Sequence, residues 1–312
     1  MASRFLDRIN GEVLICDGAM GTQLDARGME PGACRERWNV ERPDEVRAIH
    51  RGYLEAGADI VLTNSFGGTR WVLGRHGAAD RLEELNRAAA RVARQAVEES
   101  GQRGGRLVFG DIGPTGELIE PLGPRTVEEC EAVFAEQARA LAAPAADGGE
   151  PLIDAIIVET MIAVEECAAA VRAAKAATDL PVLASMAFDF NPRRDGFFTA
   201  MGVGLEVMVR RLTEAGADVI GANCGTIDIA QMARLVEELA ALTSRPIIAQ
   251  PNAGTPRLVG GVTRYTQTPE DFAAGAAALV RQGRAGNLLV GGCCGTTPAH
   301  IAALARAIRD TA

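Results

Sequence analysis

The strongest constraint on the fold of this chain is an eightfold alternation between short apolar runs and longer helical segments. The apolar runs are continuous rather than alternating, which indicates strands that are buried on both faces. Glycine and proline mark most of the ends of the intervening helical segments. Eight strand–helix units over at least 250 residues are typical of a (β/α)8 barrel. We therefore predict an α/β fold, a (β/α)8 TIM barrel that forms a single domain over residues 1–312.

A doubly wound open sheet is the main alternative architecture for such an alternation. Its dinucleotide-binding form carries the glycine pattern G-x-G-x-x-G directly after the first strand. Here the first predicted strand, residues 13–17, is followed by Gly18-Ala19-Met20-Gly21, which does not match that pattern. The barrel is therefore the preferred prediction.

Charge and hydropathy exclude two broad classes of partner. The chain has 312 residues and a formal net charge of −9, which argues against nucleic acid as a partner because phosphate binding requires clustered Lys and Arg. No apolar run approaches the roughly 20 residues of a membrane-spanning helix, and residues 1–7 lack the apolar region of a signal peptide. We expect a cytoplasmic protein. The sequence leaves open whether it forms homo-oligomers.

Seven cysteines in a large chain without an export signal argue against a disulfide framework and favour metal binding or catalysis. Cys293 and Cys294 stand between glycine pairs at the exit of the eighth predicted strand, and Cys224 closes the sixth. In a barrel, the residues at these strand exits converge on one mouth.

Three cysteine ligands suit a catalytic zinc ion, which keeps a fourth position open. Neighbouring side chains normally leave a strand on opposite faces, so Cys293 and Cys294 can share an ion only if the strand breaks there. The flanking glycines permit such a break. A vicinal disulfide, a redox pair and buried thiols remain as alternatives. We expect the other four cysteines to be packing or surface residues: Cys16, Cys34, Cys130 and Cys167.

Polar or thiol residues close most of the apolar strands. In a barrel, catalytic groups lie at these carboxyl ends. Each residue alone is also compatible with a strand-end hydrogen bond or a cap, but together they predict a polar mouth above an apolar interior. The residues are Asp17, Asn64, Asp111, Glu159, Cys224, Asn252, Cys293 and Cys294. No histidine stands at a strand exit, so none is expected to be a metal ligand.

Three motifs resemble the homocysteine S-methyltransferase family: Asp17-Gly18-Ala19-Met20-Gly21-Thr22, Ala222-Asn223-Cys224 and Gly291-Gly292-Cys293-Cys294-Gly295. The resemblance extends from the first strand to the last helix. It implies a zinc-dependent enzyme that makes methionine by attack of a zinc-bound homocysteine thiolate on an activated methyl group.

The resemblance also implies roles for individual residues. It implies that Cys224, Cys293 and Cys294 bind zinc and are the catalytic residues. It also implies that Asp17 and Glu159 bind the amino group of homocysteine. The backbone amides of the Gly18–Gly21 turn, including those of Gly18 and Met20, would bind its carboxylate. Asn252 resembles an asparagine of methionine synthases that can occupy the open zinc position before the substrate arrives.

The methyl donor is the least constrained part of the prediction. Asn252 and the pair Glu159-Thr160 resemble methionine synthase more than betaine–homocysteine methyltransferase, which favours a methylcorrinoid donor, on a separate protein or as free methylcobalamin. Betaine and S-methylmethionine are the alternatives. Trp38 and Trp71 fall in the first two strand–helix loops, where they could form a cage for a quaternary ammonium or serve as lid or subunit-contact residues.

Two functions from other classes stay open at this point. A zinc barrel could be a hydrolase, although hydrolytic barrels mostly use His and carboxylate ligands, and no histidine stands at a strand exit. The chain could also be a non-catalytic zinc- or thiol-binding barrel, which would bind metal and homocysteine without turnover.

Overall fold

The structure is a computed structural model and describes residues 4–101, 105–144, 149–259, 262–282 and 287–309. Within these residues, eight parallel strands alternate along the chain with eight longer helices. The strands β1 to β8 are Glu12–Ile15, Ile60–Leu62, Leu107–Ile112, Ala155–Met161, Val182–Met186, Val219–Asn223, Ile247–Gln250 and Asn287–Val290. The helices α1 to α8 are Pro43–Glu55, Leu82–Glu99, Val127–Leu141, Val164–Ala177, Leu205–Ala215, Ile229–Leu242, Pro269–Gln282 and Pro298–Arg309.

Shorter elements precede β1 or lie in the strand–helix connections. The short helices are Arg4–Ile9, Gly21–Ala26, Trp38–Glu41 and Arg70–Arg75, with 3₁₀ turns at Arg35–Arg37 and Ala79–Arg81. One hairpin, Asp189–Asn191 with Gly196–Phe198, follows β5, and another, Arg257–Val259 with Val262–Arg264, follows β7. None of the helices that the structure describes has both the length and the apolarity of a membrane-spanning segment.

The parallel sheet closes on itself. Its strand order is β1-β8-β7-β6-β5-β4-β3-β2, and a parallel bridge between Cys16 and Ile60 joins the two ends. Backbone hydrogen bonds complete this seam, from the Asp59 amide to the Ile15 carbonyl at 2.7 Å and from the Asp17 amide to the Ile60 carbonyl at 2.9 Å. The predicted (β/α)8 barrel is confirmed.

Alternate residues of the strands fill the barrel interior, because successive side chains of a strand point to opposite faces. They form one buried cluster, which includes Leu14, Ile60, Leu107, Phe109, Ala155, Ile157, Leu183, Val219, Ile248 and Leu289. The helix before β1 adds Phe5 and Ile9 to this cluster. The Phe5 ring meets the Phe109 ring edge-on, with centroids 4.9 Å apart. Apolar side chains therefore close the N-terminal end of the barrel.

The opposite strand faces pack against the helices in a second buried layer. Two helices open with complete capping boxes, which satisfy amide groups that a helix N-terminus leaves free. Thr126 and Glu129 cap α3, as the sequence predicts. Asp228 and Gln231 cap α6 in the same way. Both capped helices contribute buried residues to this second layer.

The same alternation of side-chain direction along the strands places polar side chains at the C-terminal end of the barrel interior. Two residues beyond the interior-facing Phe109 stands Asp111, and two beyond Ile157 stands Glu159. The same step leads to Asn223 at the end of β6. The mouth of the barrel is therefore polar because residues at two-residue steps along a strand point to the same face, and the last of these residues are polar.

Candidate metal centre and substrate site

Three cysteine sulfurs converge at the mouth. Cys224 follows β6, and Cys293 and Cys294 lie in the turn between β8 and α8. One ligand atom from each of the three lies within 4.8 Å of the others, and the Sγ atoms of Cys224 and Cys294 are 4.0 Å apart. Two thiolates on a tetrahedral zinc ion stand about 3.8 Å apart, given a Zn–S bond of about 2.3 Å. The three sulfurs therefore have the spacing of a zinc site.

The turn after β8 brings both neighbouring cysteines to the same side. The Gly292 amide donates to the Asp17 carbonyl at 2.9 Å, and the Cys293 amide donates to the Pro251 carbonyl at 2.8 Å. Gly295 completes the turn with φ of +78°. A Cβ atom at Gly295 would lie 2.2 Å from the Tyr265 ring, so only glycine fits both the conformation and the space.

Contacts within the thiol cluster favour the thiolate form of one cysteine, Cys294. Hydrogen bonds from Cys224 and Cys293 lower the pKa of Cys294 to about 3, and Tyr265 adds a hydrogen bond in the same direction. Soft thiolate ligands select zinc and related soft metals over magnesium or calcium. The chemistry of the donor set thus fits the zinc ion that the sequence predicts.

Asn252 lies between the two cysteine segments. Its side-chain amide donates to the Gly225 carbonyl at 2.9 Å, and the next residue, Ala253, donates its backbone amide to the Cys294 carbonyl at 3.0 Å. Asn252 is buried, yet its Oδ1 atom has no hydrogen-bond partner among the residues that the structure describes. An orphaned buried oxygen here fits the predicted contact with a metal or a substrate, which remains a prediction.

Three carboxylates line the mouth beside the thiols. Asp17 is buried, and among the described residues it accepts one hydrogen bond, from the Leu62 amide to its Oδ2 at 2.9 Å. Within the same part of the chain, Asp17 Oδ1 and Oδ1 of the buried Asp111 have no hydrogen-bond partner. Glu159 is partly buried and accepts from the Asn223 amide at 3.2 Å.

These carboxylates lack a cation. Burial raises the pKa of Glu159 to about 8 and raises the pKa of Asp17 and of Asp111 well above the usual range. The charge of Glu159 raises the pKa of both aspartates further. Among the ion pairs of the described residues, none engages any of the three. A bound ammonium group would relieve this uncompensated charge.

The turn after β1 is fixed against the cysteine turn. Thr296 Oγ1 accepts from the Ala19 amide at 3.0 Å and donates to the Cys293 carbonyl at 2.7 Å. The Tyr53 hydroxyl donates to the Ala19 carbonyl at 2.8 Å. Within the described residues, the amides of Gly18 and Met20 make no hydrogen bond. They remain available for an anionic group, and binding of the substrate carboxylate by these amides stays a prediction.

An arginine lies over the ring of each of the two tryptophans. The guanidinium of Arg42 stands 4.7 Å from the Trp38 ring centroid, and that of Arg125 stands 4.7 Å from the Trp71 centroid. One face of each ring is thus already covered by a cation of the chain itself. The other four cysteines are buried, and the three histidines lie on helices or beside one, as the sequence indicates.

Several residues that form contacts at the mouth have no role in the sequence-based prediction. One of them, Asn223, precedes Cys224 at a strand exit, and that position could have indicated a role. Tyr53, Tyr265 and Thr296 carried no signal, because their contacts join segments far apart in the chain.

Comparisons with known proteins agree with this geometry. A family model described as homocysteine S-methyltransferase matches residues 14–308. A methionine synthase of Mycobacterium tuberculosis is 34% identical over 319 aligned positions, covering 98% of this chain and 25% of that protein. The methionine synthase of Mycobacterium leprae is 32% identical, covering 97% of this chain and 25% of that protein. The chain thus spans about a quarter of the length of these relatives.

Solved structures extend the comparison to three dimensions. The crystal structure of the homocysteine methyltransferase MmuM from Escherichia coli, in its metallated form, superposes with a TM-score of 0.73 at 26% identity. The match covers 97% of this chain and 98% of that one. The apo form of the same protein superposes with a TM-score of 0.68.

Proposed function

Because the chain belongs to the homocysteine S-methyltransferase family, we propose that it transfers a methyl group to the sulfur of homocysteine and so forms methionine. The observation that carries this proposal is the joint placement at one mouth of three thiols, the carboxylates of Asp17 and Glu159, and two backbone amides. Among the described residues, no ion pair engages these two carboxylates and no hydrogen bond engages the two amides. Homocysteine offers a group for each: a thiol, an ammonium and a carboxylate.

Cys224, Cys293 and Cys294 would hold zinc. When bound, zinc keeps a thiol substrate deprotonated at neutral pH and in a fixed orientation. The E. coli homologue was crystallised in a metallated form, which supports a metal here.

The protein's own groups would then position the substrate. Asp17 and Glu159 bind the ammonium, and the amides of Gly18 and Met20 bind the carboxylate. With both ends held, the thiolate attacks the methyl carbon in line, a C–S bond forms, and the bonding electron pair of the methyl group leaves with the donor. This is catalysis by positioning, and no general base is required once the thiol is ionised.

The surface around the mouth supports a methyl donor carried by a protein. Of the nine large hydrophobic side chains that are exposed in the described residues, seven lie in strand–helix connections, on the side of the mouth. They are Val40, Phe66, Leu118, Leu122, Ile162, Met201 and Leu258. Apolar side chains that are exposed on the loops at this end of the barrel are available for contact with a partner protein. A methylcorrinoid on a partner protein is therefore the donor we favour.

One observation favours a second class of donor. Asp111 adds a buried carboxylate beyond the two assigned to the ammonium of homocysteine. A donor with a positive charge, such as the sulfonium S-methylmethionine, would compensate that charge. Betaine is less favoured, because an arginine already covers one face of Trp38 and of Trp71.

The test is a donor panel on the purified protein with its metal content measured. Methionine formation from homocysteine is assayed with methylcobalamin, S-methylmethionine and betaine, and cysteine serves as a matched acceptor control. We expect one zinc per chain and turnover with homocysteine but not with cysteine, because cysteine is one methylene too short to span thiol site and carboxylates together. The productive donor identifies the reaction.

Two results would overturn the proposal. A protein that binds no zinc when prepared without chelator or oxidant lacks the metal centre. A protein that binds zinc and homocysteine but turns over no donor, including a methylated corrinoid protein, is a non-catalytic thiol-binding barrel.

A further inference from the structure

Asn223 stands between the carboxylate pocket and the thiol cluster and has no assigned role. It is the last residue of β6 and is fully buried. Its Nδ2 atom lies 3.2 Å from Glu159 Oε2, 2.6 Å from Thr160 Oγ1 and 3.6 Å from Cys293 Sγ. One amide group therefore contacts the ammonium-binding side and the metal-binding side of the site.

The orientation of this amide follows from its partners. The backbone amide of Thr160 can only donate, and it lies 2.8 Å from Asn223 Oδ1. The Ser185 hydroxyl donates to the same oxygen at 2.7 Å. Since Oδ1 is held by these donors, Nδ2 must face Glu159, Thr160 Oγ1 and Cys293, which are all acceptors.

Two residues with unusual backbone conformations flank these contacts. Thr160 has φ of +59° and Cys224 has φ of +56°, a region that β-branched residues in particular avoid. Thr160 follows Glu159 at a register irregularity between β4 and β5. Asn223 binds both the amide and the hydroxyl of Thr160. Strained residues held by specific bonds concentrate at functional sites.

We propose that Asn223 is a positioning residue that couples the two halves of the site. The two hydrogens on Nδ2 are shared among three acceptors, Thr160 Oγ1, the Glu159 carboxylate and the sulfur of Cys293. The shared bonds orient the carboxylate towards the substrate ammonium and bind the sulfur. This inference rests on the proposed function, since it presumes a metal on the thiolates and a substrate ammonium at Glu159.

The bond to sulfur has a definite chemical consequence. A hydrogen bond to a metal-bound thiolate stabilises the sulfur lone pair and reduces its nucleophilicity, as outer groups generally tune metal ligands. Cys293 thereby stays a ligand, while the sulfur of the substrate is left as the better nucleophile for the methyl group.

The test uses the Co²⁺-substituted protein and the variant Asn223→Ala. Loss of the N–H···S bond raises the energy of the Cys293 lone pair, so the sulfur-to-cobalt charge-transfer band should move to longer wavelength at full cobalt occupancy. The Kd of homocysteine, measured by calorimetry, should rise about tenfold, the cost of one hydrogen bond to a charged group. Ser185→Ala is the matched control, because it removes a bond to Oδ1 only, and it should leave the band in place.

A second variant separates this role from a structural one. Asn223→Ala combined with Thr160→Gly relieves the backbone strain at residue 160 without restoring the bonds to Glu159 and Cys293. We expect the band and the Kd to stay as in Asn223→Ala. If the double variant regains wild-type values, or if Asn223→Ala never departs from them, the inference is wrong. If the wild type binds no cobalt, the proposed metal site itself fails, which is a distinct outcome.

Discussion

The two ends of the barrel are built on the same eight strands and differ in almost every other respect. At the N-terminal end, Phe5 and Ile9 pack into the apolar interior. At the C-terminal mouth, Asp17, Asp111 and Asn252 each keep a buried oxygen that has no hydrogen-bond partner within the described ranges. The first end is arranged as a core, and the second carries unsatisfied polar groups that a ligand would complete.

The destabilising features of this fold, buried unpaired charge and backbone strain, lie at one end of the barrel. Buried unpaired charge costs stability, and positive φ at a threonine adds strain. Both occur at the mouth, whereas the interior below it supplies apolar burial. Stability and chemistry are therefore separable, and substitutions at the two ends should affect different measurements.

The largest expected effect comes from the thiol cluster. Cys294→Ser should lose zinc and lower kcat/KM by about four orders of magnitude, a loss of roughly 5 kcal/mol in transition-state stabilisation. Cys167→Ala, in the buried helix layer, should keep both zinc and activity. Metal analysis and steady-state kinetics decide the matter. A serine variant with zinc and more than a tenth of the activity would contradict the assigned ligand set.

At the opposite end, Phe5→Ala should act on stability alone. The ring is fully buried against Phe109, and its removal should lower the free energy of unfolding by about 4 kcal/mol. Urea unfolding measures this change. The kcat/KM of the folded fraction should equal that of the wild type, and a large loss there would break the separation between the two ends.

His50 sharpens the comparison, because it is buried and polar but lies on α1 in the helix layer. In the described part of the chain, neither ring nitrogen has a hydrogen-bond partner, and burial lowers the pKa of His50 from 6.5 to about 4. As the pH falls below 6.5, the unfolded chain takes up a proton before the native state does. Stability is thus full above pH 6.5 and falls by roughly 3 kcal/mol down to pH 4.

The variant His50→Leu tests this expectation through unfolding measured between pH 4 and pH 7. It should flatten that part of the pH dependence, while His76→Gln, at an exposed site, should not. Methyl transfer should be unchanged in both. If the free energy of unfolding changes equally with pH in the wild type and in His50→Leu, groups other than His50 control the loss of stability at acidic pH.

The smallest expected effect is at Asp17, where one substitution should change both homocysteine binding and stability. Asp17→Asn should weaken homocysteine binding about thirtyfold, roughly 2 kcal/mol, because the ammonium loses a charged partner. Burial raises the pKa of Asp17, so ionisation destabilises the native state above pH 3.8, and the neutral amide should raise stability at neutral pH. Calorimetry and urea unfolding measure the two changes. A loss of both would show that Asp17 is structural.

The fold was predictable because its signal is local and repeated. Strands contain continuous apolar runs, such as residues 155–158, and Thr126 with Glu129 marks the start of α3. The convergence of Cys224 with Cys293 and Cys294 was also predictable, since strand exits of a barrel meet at one end. The proposed roles of these cysteines and of Asp17 and Glu159 remain predictions.

The barrel, the polar mouth and the position of the thiols could be inferred from the sequence, because the eightfold alternation of apolar runs with helical segments and the residues that close those runs are local features of the chain. The contacts of Asn223 with Glu159 and Cys293, the link from Thr296 to the turn after β1, and the arginines over the tryptophans became visible only in the folded protein. The contacts of Asn223 and Thr296 join residues that are far apart in the chain. A hydrogen bond between residues 70 or 277 positions apart depends on the closed ring of strands, and no local pattern encodes it.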